Sequence, residues 1–237
     1  MSNAPVVFFA YNRSEHTRQA LESLSQCEGA AESELFIYSD GPKQSEDINA
    51  VQEVRNIIRS RQWCGTVHIV ERNENWGLSK SIIHGVTEIC GQYNRVIVLE
   101  DDLVLSPFFL LYMNAALTRY EHDERVMQIS GYMFPVELKA DTDAVFLPLG
   151  TCWGWATWQR AWRYFDPDMT GYHKLKGDKT LRKKFDLDGA YPYFNMLKDQ
   201  RNGKLDSWGI RWYLSLFMLG GLTLFPVKTL VDNIGFD

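Results

Sequence analysis

The chain has 237 residues, 45% hydrophobic and 14% aromatic, with a formal net charge of -5. That length supports one domain that can bury a large core without disulfide or metal staples. The acidic balance argues against a nucleic-acid partner, which calls for a basic excess. Cys27, Cys64, Cys90 and Cys152 show no Cys-x-x-Cys spacing, which excludes a zinc knuckle and fits reduced, buried structural thiols. Residues 1–5 carry neither a basic nor an apolar run, so no secretory leader is expected.

Apolar runs then alternate with helix-period segments, which predicts βα units around a mainly parallel sheet, an α/β fold. Val6-Val7-Phe8-Phe9-Ala10 reads as a short strand buried on both faces. Ser14 predicts an N-cap for a helix with the apolar stripe Ala20, Leu21 and Leu24. Leu35-Phe36-Ile37-Tyr38 reads as a second strand, stopped by the turn chemistry of Ser39-Asp40-Gly41-Pro42. Ile48, Val51, Val54, Ile57 and Ile58 follow at helical spacing. Thr66-Val67-His68-Ile69-Val70 reads as a third strand, and a helix from about Ser79 buries Ile82, Ile83, Val86 and Ile89. The fourth strand, Val96-Ile97-Val98-Leu99, runs straight into Glu100-Asp101-Asp102.

Farther on, 107–120 suits a helix and 126–130 a strand. An aromatic-rich passage occupies 146–162, where Trp158 and Trp162 read as core. A basic run with Lys174, Lys176, Lys179, Arg182, Lys183 and Lys184 reads as a solvated face, or as a contact for an anionic acceptor. Residues 205–219 suggest an apolar-faced helix. The longest apolar stretch, 213–227, is shorter than a membrane span and is broken by Gly220, Gly221 and Pro226. A soluble cytoplasmic protein is therefore expected, with at most peripheral contact at the inner membrane face.

In open α/β sheets, ligands bind beyond the carboxyl ends of the strands. Here those ends read Tyr11-Asn12-Arg13, Ser39-Asp40-Gly41, Asn73-Glu74-Asn75-Trp76-Gly77 and Glu100-Asp101-Asp102. One crevice is expected to collect Arg13, Asp40, Asn75 and the acidic triplet. Neither a Gly-x-Gly-x-x-Gly nor a Walker-type loop follows the first strand, which removes dinucleotide and P-loop readings. Three adjacent carboxylates repel one another unless a cation or hydrogen-bond donors compensate. Hard ions such as Mn²⁺ and Mg²⁺ prefer such oxygen ligands and share them with phosphates. The plain alternative is a solvated acidic turn; the position directly after Val-Ile-Val-Leu favours the metal reading.

The order strand–Asn-Arg, strand–Ser-Asp-Gly, strand–Asn-x-Trp-Gly-Leu, strand–Glu-Asp-Asp resembles the GT-A fold of nucleotide-sugar glycosyltransferases. The stretch from Val96 to Tyr112 is similar to the N-acetylglucosaminyltransferase I group, whose Glu-Asp-Asp stands where most GT-A enzymes carry Asp-x-Asp. The closing Asn-Ile-Gly-Phe-Asp is similar to bacterial sugar transferases. The resemblance implies one Rossmann-like three-layer domain over 1–237, with a nucleotide-sugar half at about 5–120 and an acceptor half at about 121–237. It further implies transfer of a hexosyl or N-acetylhexosaminyl group from a nucleotide sugar, of the uridine class, to a glycan, lipid-linked or other hydroxyl, as in polysaccharide biosynthesis. Related proteins continue past the end of this chain, so a further metal or phosphate ligand is expected beyond Asp237.

Carried over by position, the resemblance places Asp102 on the metal and Glu100 and Asp101 near the ribose and sugar. It sets Asp40 at the base, and Asn12, Arg13, Asn75, Gly77 and Lys80 along the nucleotide sugar. Trp153, Gly154 and Trp155 would line the donor-sugar and acceptor pocket. Asp206 would be the general base of an inverting transfer, although its Asp-Ser pair leaves the register open by one residue. Each has a plainer reading: a turn at Asp40, a surface ion pair at Arg13, a helix start at Gly77, a solvated Lys80 and an N-cap at Asp206. Two other functions compete. A sugar-nucleotide pyrophosphorylase would need a Gly-rich loop where Ala10-Tyr11-Asn12-Arg13 stands, and a non-catalytic carbohydrate-binding protein leaves the triplet unexplained.

Overall fold

Strand β1 (Val6–Ala10) sets the layers, because its buried side chains alternate between two cores. Val6 and Phe8 pack with α1 (Ser14–Ser25), α2 (Ile48–Arg59) and α4 (Phe109–Arg119). Val7 and Phe9 pack on the other side with α3 (Leu78–Tyr93), α5 (Gln159–Trp162) and α9 (Trp208–Met218). This alternation is the period-2 geometry of a strand held between two helical layers. The computed structural model describes residues 3–137 and 141–236; Ser2, and the Asp237 that closes the Asn-Ile-Gly-Phe-Asp passage, lie outside the described residues.

With β2 (Glu34–Ser39), β3 (Thr66–Glu71), β4 (Arg95–Glu100), β6 (Val126–Ser130), β7 (Ala144–Leu147), β8 (Trp155–Trp158) and β9 (Leu222–Pro226), the eight-stranded order is β3-β2-β1-β4-β8-β6-β9-β7. Strands β3, β2, β1 and β4 are parallel, β6 pairs parallel with β9, and only β8 and β7 run against their neighbours. A mainly parallel sheet in a three-layer α/β fold is therefore what the chain forms. The short strands β5 (Leu103–Leu105) and β10 (Val231–Asn233) make a separate antiparallel pair, with Val231 opposite Leu105 and Asn233 opposite Leu103. That pairing carries the last described residues back over the carboxyl end of β4.

Local expectations shift by a residue or two. Arg13, not Ser14, caps α1, and its side chain makes no capping bond; the guanidinium is engaged elsewhere. Ser207, not Asp206, caps α9, accepting from Ile210 N at 3.3 Å. The basic run forms α6 (Tyr172–Gly177) and α7 (Lys179–Phe185), the latter capped by Asp178. Lys174, Lys176, Lys179, Lys183 and Lys184 all face solvent. Trp158 and Trp162 are buried, as the spacing predicts. Cys27, Cys64 and Cys90 are buried and all four thiols are free.

Candidate functional site at the carboxyl ends of the parallel strands

The chain steps from β1 to β2 to β3 on one side and returns on the other side for β4. The strand order thus reverses between β1 and β4, where an open α/β sheet leaves a crevice. A cavity of about 320 Å³ lies there, lined among others by Tyr11, Asn12, Arg13, Asp40, Asn75, Gly77, Glu100 and Asp101. Arg13, Asp40 and Asn75 meet Glu100 and Asp101 in this cavity, as expected, whereas Asp102, expected with them, is not in its lining.

Arg13 sits between two of the acids. Its Nη2 donates to Asp101 Oδ1 at 2.7 Å and to Asp102 Oδ2 at 3.0 Å, and Tyr11 N donates to the other Asp101 oxygen at 3.4 Å. One guanidinium facing three carboxylates leaves negative charge over. Burial, then the charges of Asp102 and Asp101, push the Glu100 carboxyl up to about 8. Burial also raises Asp101, against the opposing pull of Arg13. A carboxyl raised on folding holds a proton that the unfolded chain releases. Its contribution is complete below the ordinary value of 4.5 and is lost as pH climbs through about 8. In EDTA, Glu100→Gln should therefore match the parent's melting temperature near pH 4.5 and exceed it at pH 8.5. A difference independent of pH in thermal melts would count against this charge crowding.

Among the described residues no three Asp, Glu, His or Cys side chains converge as a ready-made metal cage. The chemistry of the donors still suits a hard divalent cation. Such ions accept one or two carboxylates and complete their shell with phosphate oxygens and water, and the surplus charge beside Asp102 favours a cation. The chain's end closes over this point. Ile234 N donates to Asp102 O at 2.9 Å, His16 Nε2 lies 3.1 Å from Ile234 O, and a side chain at Gly235 would collide with Asp102.

The opposite wall is built around Asp40, which is only 6% exposed. Its carboxylate accepts from the backbone N–H of Trp76 (2.9 Å), Gly77 (2.9 Å) and Gly41 (3.1 Å). Asn75 Nδ2 donates to Gly41 O at 2.9 Å, and Gly77 caps α3 with φ of 75°, a conformation suited to glycine. Asp40 thus clamps the loop that forms the wall, and little acceptor capacity is left for a base. Asp40→Ala would strand three N–H groups and should cost about 3 kcal/mol, read as a fall in melting temperature together with weaker nucleotide binding. Unchanged melting would exclude the clamp. Asn12 also faces this cavity and donates to Asp47 Oδ1 at 3.3 Å. Arg72, which the sequence reading passed over, lies buried behind the wall, its guanidinium 4.1 Å from the Trp76 ring centre and bonded to Ser81.

Three further expected residues, Asp102, Lys80 and Asp206, are not among those lining this cavity. Lys80 and Asp206 line a larger one of about 670 Å³ between α3 and α9, with Trp76 and Arg211. Asp206 does not share a cavity with the acidic triplet. It is exposed, its side chain 71% accessible, and accepts from Arg211 Nη2 at 3.0 Å. Arg211 in turn bonds Ser79 at the start of α3.

A third cavity, about 320 Å³, has Trp153 in its wall beside Tyr132, Tyr191, Tyr193 and Ser207. Gly154 lies next to it with φ of 60°, where a side chain would strike Val231 and Phe109. Trp155 corrects the expectation of a pocket-lining indole. It is fully buried on β8, stacked on Trp208 at 5.0 Å and near Trp162 and Trp212. Trp155 opens β8, whereas Trp153 lies in the segment before it, across Gly154 with its φ of 60°, so the two indoles take unrelated environments.

Residues 6–133 match the family described as glycosyl transferase family 2. Solved structures similar to this chain include TarS 1-349 of S. aureus, at 15% identity and a TM-score of 0.37, covering 54% of this chain and 34% of that one. Another is a protein described as a nucleotide-diphospho-sugar transferase from Desulfovibrio desulfuricans G20, at 16% identity and a TM-score of 0.42, covering 71% of this chain and 68% of that one. The chain spans about a third of the TarS structure. No curated protein matches the sequence.

Proposed function

Because the chain belongs to glycosyl transferase family 2, we propose that it moves a sugar from a nucleoside diphosphate sugar, of the uridine class, to an acceptor hydroxyl with inversion. The observation that carries this reading is the acid triplet at the β1–β4 reversal, of which Glu100 and Asp101 line a cavity of about 320 Å³ while Asp102 shares Arg13 with Asp101. That volume is within the range of small-molecule sites. In this proposal the nucleotide occupies the cavity against Asn12, Arg13, Asn75 and Gly77, and Asp40 acts by fixing the loop from Asn75 to Gly77. Glu100 and Asp101 lie toward the ribose and sugar, and Lys80 lies on the far side of Trp76.

Asp102 is the proposed holder of Mn²⁺ or Mg²⁺. Bound there, the cation would neutralise charge on the departing diphosphate. Arg13 provides a second positive charge that can turn from the carboxylates to phosphate oxygens. Asp206 is the proposed base: Ser207 takes the helix cap, which leaves the Asp206 carboxylate free of that duty. Asp206 lines the cavity between α3 and α9, and its neighbour Ser207 lines the third cavity. Residues after about 120 form the acceptor half, for a glycan, lipid-linked or other hydroxyl. Among the described residues no helix is long and apolar enough to cross a membrane, and we place the reaction in the cytoplasm or at the inner membrane face.

Titration calorimetry of uridine and guanosine diphosphates with Mn²⁺ and with EDTA tests the donor side, followed by a donor screen that detects nucleotide release. Metal-dependent binding and acceptor-dependent release are expected. Absence of nucleotide binding under both conditions would remove the transferase reading.

A further inference from the structure

Among the described residues, the wall of the third cavity has no charged side chain. Tyr132, Phe134, Trp153, Tyr191, Tyr193 and Met196 supply most of it. The rings brace one another: Tyr132 stands edge-on to Trp153 at 4.5 Å, Tyr191 is 4.6 Å from Tyr193, and Tyr193 meets Tyr213 at 5.0 Å. Such braced rings hold fixed apolar faces at small entropic cost.

This cavity adjoins the acid cluster. Cys152 lines it and lies within electrostatic reach of Glu100 and Asp102. Trp153 also touches Phe236, at 5.6 Å, one residue from the Gly235 that lies against Asp102. A molecule seated on Trp153 is therefore next to the place where a donor sugar would be activated.

Charge decides what fits. Carboxylates reach the wall at two points, Asp102 against the Gly235 that precedes Phe236, which packs on Trp153, and Asp186, whose charge acts on Tyr213, while Glu100 keeps its proton below about 8. An anion would meet repulsion and, among the described residues of the wall, no cationic partner. The lysines of α6 and α7 are absent from this wall. A cation would find no carboxylate within the cavity to replace its hydration, and burying an unpaired charge is costly. An uncharged ligand meets neither penalty. The C–H face of a sugar ring or an aryl aglycone suits the negative faces of aromatic rings, and the hydroxyls of Tyr191, Tyr193 and Ser207 are uncharged hydrogen-bonding groups.

We infer that this cavity is the acceptor site and that it takes a neutral glycoside, one ring stacked on Trp153 and Tyr191, in preference to a phosphorylated or otherwise anionic acceptor. The inference rests on the transferase reading above and names the substrate class that the reading leaves open.

The test uses p-nitrophenyl glycosides of glucose, galactose, mannose and N-acetylglucosamine, each beside its 6-phosphate, with binding followed by calorimetry. At least one neutral glycoside should bind saturably, at least tenfold tighter than its phosphate. Tyr191 is 48% exposed, so Tyr191→Ala should fold normally and weaken binding about five- to tenfold. Trp153→Phe, which keeps a ring, should weaken it less than Trp153→Ala. Uridine diphosphate binding, measured in Tyr191→Ala, should stay at the parent level. Phosphates that bind as tightly as the neutral glycosides, or a Tyr191→Ala protein that binds like the parent, would overturn the inference. So would binding of nucleotide with no binding of any neutral glycoside. Binding of neutral glycosides without any nucleotide binding would instead remove the transferase reading and leave a carbohydrate site.

Discussion

Asp102→Asn is expected to lower sugar transfer by about 10³-fold while leaving the melting temperature at or slightly above that of the parent. The rate effect follows from the leaving group. A nucleoside diphosphate departs with charge that a bound cation can stabilise by several kcal/mol, and each 1.36 kcal/mol is tenfold in rate. The fold should survive for a local reason. Asp102 belongs to a triplet compensated by one guanidinium, and Arg13 keeps its shorter bond, 2.7 Å, to Asp101. Removing one negative charge relieves crowding that pushes Glu100 up to about 8. Steady-state transfer with varied Mn²⁺, paired with thermal melts, checks both halves. Near-parental turnover in Asp102→Asn, or full parental activity in excess EDTA, would exclude the metal role.

Asp206→Asn should lower turnover by ~10²–10⁴, the usual cost of losing a general base, and leave uridine diphosphate affinity unchanged. The two readouts separate because Asp206 lies outside the β1–β4 cavity and lines the one between α3 and α9. Its exposure gives an acceptor hydroxyl access, and Arg211 at 3.0 Å orients one carboxylate oxygen while the other stays available. Arg211→Lys would keep a positive charge but lose the planar fork that also reaches Ser79, so a smaller rate loss is expected there. The anomeric configuration of the product, followed by NMR, must be opposite to that of the donor. Retention, or an Asp206→Asn enzyme that turns over like the parent, would remove Asp206 from the role.

The alternation of apolar strands and helix-period segments through Asp102 was legible because it is local. Each strand carries its own period, and each polar stop, from Asn12 to Asp102, marks where a parallel strand leaves the sheet. Parallel strands place all those stops at one edge, so sequence order was enough to expect a crevice holding Arg13, Asp40, Asn75 and the acids. The match of residues 6–133 to a glycosyl transferase family covers the same legible part.

Beyond Leu105 the helix at 107–120, the strand at 126–130 and the helix at 205–219 were still legible. How these pieces meet depended on contacts between residues far apart in the chain, and these carry no local period. The pairing of β10 with β5 joins Val231 to Leu105 and lays Gly235 against Asp102, although nothing in either segment announces the other. Residues Trp153 and Trp155 look alike in sequence. One lines a cavity and the other is sealed among Trp162, Trp208 and Trp212, because β8 is inserted antiparallel between β4 and β6. The cap of α9 moved by one residue to Ser207, which set Asp206 free of the helix. Composition and periodicity thus determined an α/β chain with an acidic strand end. Tertiary packing alone decided which carboxylates Arg13 holds, which tryptophan stays accessible and where Asp206 faces, because each of these is set by what lies opposite a residue and not by its neighbours in the chain.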